Sequence, residues 1–222
     1  MIRMSDERPA GRYHHGDLRN ALVGAATALA REGGPDAVVL REAARRARVS
    51  AAAAYHHFAS REELVQAVKE RSLELLTAEM RSALAQPDAP AGDLAQRAAV
   101  ARSRLRALGT AYVRFASAEP GMFRLTFAAG GRWPVAGLPG RPGPPGHDHA
   151  ATDPFQMLSA VLDELAAVGA VPAERRPGLE YVAWAAVHGI AVLCLDGPLA
   201  LAGPAQQRQI AERTLDTIIR GL

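Results

Sequence analysis

Arg41, Arg45 and Arg48 recur at i, i+4 and i+7, and Tyr55, His56, His57 and Arg61 follow shortly after them. Guanidinium groups at helical spacing can neutralise phosphates and release counterions, while phenol and imidazole groups donate to phosphate oxygens or reach base edges. Between Arg41 and Arg61 there are five arginines and one glutamate, a local excess that matters more than the formal net charge of +3 or the pI near 9.5. The chemistry on offer is recognition of a polyanion, and a solvated helix face is its plain alternative. Bond-making chemistry has no comparable signal. The chain lacks a G-x-S-x-G elbow, a Walker loop, GxGxxG and HExxH, and pairs no nucleophile visibly with a base, so an enzyme is not expected.

The elements that must carry these groups can be read between Val39 and Leu64. A first helix places Ala43, Ala44 and Ala47 on a small-residue face for close packing and the arginines on another. Arg48-Val49-Ser50 makes a tight turn, and Ser50 is a natural N-cap for a second helix from Ala51 to Phe58. Ser60 then caps a further helix with Arg61 in its first turn. This is the plan of a helix-turn-helix that reads duplex DNA. On the second helix Ala51 to Ala54 carry no polar side-chain atom, so Ala51 and Ala53 offer close approach and methyl contacts, and direct readout falls to His56 and to Arg41 or Arg45. Tyr55 and Phe58, at i and i+3, have a packing role as their alternative, strongly so for Phe58. A cation at His56 or His57 is favourable near a helix end in any case.

From Tyr13 to Val68 the chain resembles the DNA-binding domain of the TetR/AcrR family of bacterial repressors, on Arg41, Ala44, Val49, Ser50, Tyr55, Phe58, Ser60, Arg61 and Leu64. The lead-in YHHGDLR, Tyr13 to Arg19, and the WAAVHG stretch with Trp184, His188 and Gly189 resemble a subset whose C-terminal domain bears a Trp-His-Gly signature. The resemblance implies that Tyr55, His57 and Arg61 hold phosphates and that the last two helices form a four-helix dimer contact, for which Tyr181 to Leu195 and Ile210 to Ile219 have suitable apolar faces. It also implies a homodimer on a palindromic operator and a second, effector-binding site in the C-terminal region. Two positions depart from the family pattern. Arg48 stands where glycine is usual, and Val39 or Leu40 replaces the Ser or Thr that would cap the first helix of the motif.

Composition is compatible with this reading without dictating it. A chain of 222 residues, 49% hydrophobic, has length for a small DNA-binding domain and a larger helical one. Cys194 is the only cysteine, which excludes an intrachain disulfide and a cysteine-based zinc finger. The longest apolar run, Val182 to Leu195, is interrupted by His188 and falls short of the ~20 residues of a membrane span, and no signal peptide is evident, so a cytoplasmic protein is expected. Lys69 is the only lysine beside 25 arginines, a general bias towards arginine.

The expected architecture is all-α: an arm over residues 1–12, a three-helix helix-turn-helix domain over 13–60, and a regulatory and dimerisation domain over 61–222 with a Gly/Pro-rich loop at about 130–150. Helices are expected from about Asp17 to Arg31, from Ser60 to Leu84, from Asp93 to Ala118 with a break at Pro120-Gly121, and over Met122 to Ala128. Three more follow, from Pro154 to Val168, Ala173 to Leu195 and Pro204 to Ile219. Tyr112, Phe115, Phe123, Phe127, Trp184 and His188 are candidates to line an effector site, with Met122, Phe155 and Met157 beside them. So few charged residues on these helices favour an apolar or aromatic effector. Most of these side chains have the core as their alternative, and His188 reads more naturally as a satisfied core histidine near the dimer interface. No cofactor is implied. The competing reading is a metal-binding or metal-sensing protein using His147 and His149, with His14 and His15 as further donors.

Overall fold

A computed structural model describes residues 15–85, 92–128 and 153–222. The described residues form nine α-helices and no strand: α1 (His15–Gly33), α2 (Leu40–Arg46), α3 (Ala51–His57), α4 (Arg61–Leu84), α5 (Leu94–Ala118), α6 (Pro120–Phe127), α7 (Pro154–Ala167), α8 (Leu179–Leu195) and α9 (Pro204–Gly221). Helices α1 to α3 pack together, α4 runs on from them, and α5 lies at the centre of the larger unit, against α4, α7, α8 and α9. One continuous apolar core extends from Leu22 through Phe58 and Phe123 to Ile219.

Side-chain caps fix four of the helix starts. Ser50 Oγ accepts from the Ala53 amide at 3.1 Å and Ser60 Oγ from Glu63 at 3.3 Å. Asp93 and Gln96 form a reciprocal capping box ahead of α5. Asp153 Oδ1 accepts from the Phe155 amide at 2.9 Å ahead of α7. Helix α2 begins at Val39 without a side-chain cap, as its sequence leads one to expect, and Arg48 adopts φ 57°, the left-handed conformation that glycine fills at lower cost.

Three boundaries differ from expectation. Helix α1 begins at His15 and reaches Gly33, longer at both ends than its apolar periodicity indicates. The break between α5 and α6 falls at Glu119 rather than at Pro120-Gly121, because Pro120 opens α6, where a missing N–H is no loss. Gly121 lies inside α6 for a packing reason: a Cβ there would stand 2.0 Å from the Ala30 carbonyl oxygen of α1. Helix α8 starts at Leu179, not Ala173. Ala173–Arg175 is a single 3-10 turn, and Gly178, at φ 75°, separates it from α8.

Candidate nucleic-acid interface and ligand cavity

Helices α2 and α3 carry the arginine, tyrosine and histidine groups, of which Arg41, Arg45, Tyr55 and His56 are exposed. On α3 the side facing solvent carries Ala51, Ala52, Tyr55 and His56, whereas Ala54 is fully buried. Tyr55 is 48% exposed, unusual for a large aromatic residue, and Phe58 is 1% exposed beneath it, with the Arg19 guanidinium 4.9 Å from its ring centre. The periodicity thus separates two aromatic groups one turn apart: Phe58 holds the unit together and Tyr55 stays available. Ala53 and His57 are half-buried at the edge of the surface. Ser50 serves as the α3 cap.

The arginines divide into distinct environments. Arg41 is exposed and has no ion-pair partner among the described residues. Arg45 makes a two-pronged contact with Glu42, at 2.8 and 2.6 Å, and holds the Glu42 carboxyl down to about 2. Arg45 is exposed and Glu42 half-buried, and such a surface pair is weak enough for a phosphate to replace the carboxylate. Arg46, which helical spacing does not single out, reaches both Glu32 oxygens at 2.6 Å and so ties α2 to α1. Arg61 sits on the exposed start of α4, and its guanidinium donates to the Val38 and Pro35 carbonyls at 2.8 and 2.7 Å. It therefore anchors α4 to the lead-in of the uncapped α2, a positioning role in addition to the phosphate role expected of it.

The larger unit encloses a cleft of about 950 Å³, its open mouth included. Helix α4 contributes Leu73, Leu76 and Met80, α8 contributes Ala183, Trp184 and Val187, and α9 contributes Leu215 and Ile219. Of the aromatic candidates, Tyr112, Phe127 and Trp184 line it, joined by Phe155. Phe115, Phe123 and His188 do not. Phe115 and Phe123 are 3% and 2% exposed in the core, and Met122 is buried there too, while Met157 packs at its margin.

His188 reaches the cavity wall only through its neighbours. Trp184 Nε1 donates to the Tyr112 hydroxyl at 3.2 Å, and that hydroxyl lies 2.9 Å from His188 Nδ1, positioned to donate to it. The imidazole stacks on Phe123, with centroids 5.5 Å apart. Burial pushes the His188 pKa down and the Tyr112 hydroxyl up, so both stay neutral at ordinary pH. The Trp184 indole N–H, the Tyr112 hydroxyl and His188 Nδ1 satisfy one another, which leaves Tyr112 and Trp184 to offer apolar faces.

Lys69, Thr126 and Asp153 supply the polar wall. None stood among the expected lining residues. Lys69 is 7% exposed and donates to the Ala128 carbonyl at 3.2 Å. Its singularity as the chain's only lysine was the available signal. His14, His147, Asp148 and His149 lie outside the described residues, as does the side chain of His15. No helix among the described residues is long and apolar enough to cross a membrane.

Residues 22–68 match the model of the tetR family of bacterial regulatory proteins, and residues 105–218 match that of the tetracyclin repressor-like C-terminal domain. No curated protein matches the sequence. Among solved structures, a protein of unknown function from Rhodococcus sp. RHA1 is 29% identical, with a TM-score of 0.70 over 95% of this chain and 98% of its own. The TetR family transcriptional regulator PfmR from Thermus thermophilus is 18% identical, with a TM-score of 0.55 over 90% and 98% of the two chains. A TetR variant from Acinetobacter baumannii AYE in complex with minocycline, 17% identical, has a TM-score of 0.55 over 91% and 94%. At these last identities the likeness is one of fold. With both halves matched in order, and the C-terminal match alone spanning half its length, the chain belongs to the TetR family of bacterial transcriptional regulators.

Proposed function

We propose that the protein is a ligand-responsive transcriptional repressor that binds a palindromic operator as a homodimer and leaves it when an apolar or aromatic effector occupies the cavity. The observation that carries this reading is the exposed face of α3, where Tyr55 and His56 reach solvent, as Arg41 does on α2, while Ala54 and Phe58 lock the helix to its unit. Arg41, Arg45, Tyr55, His56, His57 and Arg61 hold and read the duplex, with Ser50, Ala51 and Ala53 allowing close approach. The Rhodococcus structure, at 29% identity, carries no function to transfer, and the minocycline complex illustrates that a protein of this fold accepts a small molecule.

Support for the homodimer comes from α8, which is predominantly apolar, with Glu180 in its first turn and His188 in its body as the exceptions. Ala183, Val187, Ile190 and Ala191 pack inward, yet Val182, Val192 and Leu193 are 55%, 39% and 42% exposed. An apolar helix left half uncovered is suited to a second copy, and a two-fold axis through it would give two α3 helices for two operator half-sites. Effector binding would tilt α4, whose first turn is anchored to α2 by Arg61, and move those helices out of register with successive major grooves.

Selection of duplexes from a random pool, followed by affinity measurements across salt, tests the assignment. We expect a symmetric site, a salt-dependent affinity, and a loss of roughly tenfold or more for Tyr55→Ala and Arg41→Ala at unchanged thermal stability. Equal affinity for selected and scrambled duplexes would reject it.

A further inference from the structure

Helix α4 lays Lys69, Leu73, Leu76 and Met80 along the cavity at i, i+4, i+7 and i+11, one stripe of about 16 Å at 1.5 Å per residue. The stripe is polar at one end only. Lys69 donates to the carbonyl of Ala128, just beyond α6, and Thr126, two residues earlier, hydrogen-bonds Ser72 of α4, so these polar wall groups gather beside the C-terminal end of α6. Towards Met80 the wall is hydrocarbon from Leu105, Leu108, Leu215 and Ile219.

The identity of the charged group is itself informative. A chain with 25 arginines uses lysine once, and that lysine is buried in this wall. A guanidinium is planar and stays protonated, whereas an ammonium is compact, carries three rotatable donors and can shed its proton when desolvated. Burial does push the Lys69 pKa down. Asp153, the other charged group of the wall, caps α7 through its Oδ1, where the positive end of the helix favours a carboxylate.

Taking the cavity as the effector site, we propose that its ligand is a slender monocarboxylate, with the carboxylate on Lys69 and an unbranched or aryl-tipped hydrocarbon body lying along α4 towards Met80. The carboxylate accepts charge-assisted hydrogen bonds in a water-poor setting, and the tail lies against hydrocarbon walls. At roughly 1.25 Å of rise per bond, from 1.5 Å bonds at tetrahedral angles, the stripe suits a chain of about a dozen carbons.

Calorimetric titration of the full-length protein with decanoate, decan-1-ol and decylamine tests this. We expect decanoate to bind at least about tenfold more tightly than the alcohol, the amine to bind worst, and Lys69→Met to erase the advantage of decanoate while the alcohol still binds. Lys69→Gln serves in place of the Met variant if that variant melts early, and the three wild-type titrations decide the order of preference by themselves. Alcohol binding as tightly as decanoate, or an advantage of decanoate that survives loss of Lys69, would overturn the assignment and leave the cavity reading standing. Preference for the amine, lost in Asp153→Asn, would replace it with a cationic effector. If none of the three binds to protein that still holds its selected duplex, the cavity reading fails and this inference with it.

Discussion

The helix-turn-helix unit and the cavity unit solve opposite problems with the same material. On α3 the functional groups face water and the residues beneath them, Ala54 and Phe58, are closed to it, so recognition is a matter of what remains outside the core. In the larger unit the proposed effector surface is the core itself, opened by a gap among Leu76, Trp184 and Leu215. The first arrangement tolerates change in its exposed groups at little cost to stability. The second cannot be altered without touching packing, which is how, on the proposed function, an occupant would be felt.

The largest effect expected from breaking this contrast is at Phe58. Phe58→Ala empties the centre of the small unit and should cost about 3–5 kcal/mol, read by urea unfolding, and it should abolish DNA binding through folding rather than through contact. Tyr55→Ala, one turn away, should leave the unfolding midpoint in place. Next comes the joint between the units. Gly121→Ala drives a methyl group against the Ala30 carbonyl and should cost about 1–3 kcal/mol, with hydrogen exchange rising in both α1 and α6. A change confined to α6 would show that the units are packed independently.

A smaller effect of opposite sign is expected at the turn. Arg48→Gly relieves a left-handed residue and should raise stability by up to about 1 kcal/mol, and a loss instead would show that Arg48 makes a compensating contact. Smallest is the pH response of His188, behind the cavity wall. Burial depresses the His188 pKa below its ordinary 6.5, so its contribution is complete above that value and is lost as pH falls through it towards the folded-state pKa. His188→Asn should flatten stability between about pH 7 and pH 5, a window set by the ordinary imidazole range.

The two units also differ in how far the sequence discloses them. The DNA-reading motif lies within one contiguous segment, so helical spacing alone sorts Ala43, Ala44 and Phe58 inward and Arg41 and Tyr55 outward. Only the positioning contacts of Arg46 and Arg61, made across 14 to 26 residues, escape such a reading. The cavity joins Lys69 to Phe155, Trp184 and Ile219, and nothing in local spacing indicates which aromatic groups face a gap and which face one another. Phe115, Phe123 and His188 are of the right type and turn into the core. On α8 the pattern is apolar at nearly every position, Glu180 and His188 excepted, so periodicity cannot distinguish cavity, core and outer face there. Residue rarity carried the missing information, because Lys69 departs from the arginine bias of the chain at a buried position.

The central claim is that occupancy of the cavity is felt at α3. Ala183, 5% exposed in the cavity wall, gives direct access to it: Ala183→Phe fills part of the gap with a permanent occupant. The measurement is affinity of this variant for the selected duplex at fixed salt, with the melting temperature and oligomeric state recorded alongside. A folded variant of unchanged oligomeric state with affinity reduced roughly tenfold or more is the result expected of coupled units. A folded variant that binds the duplex as tightly as the unsubstituted protein would contradict the account.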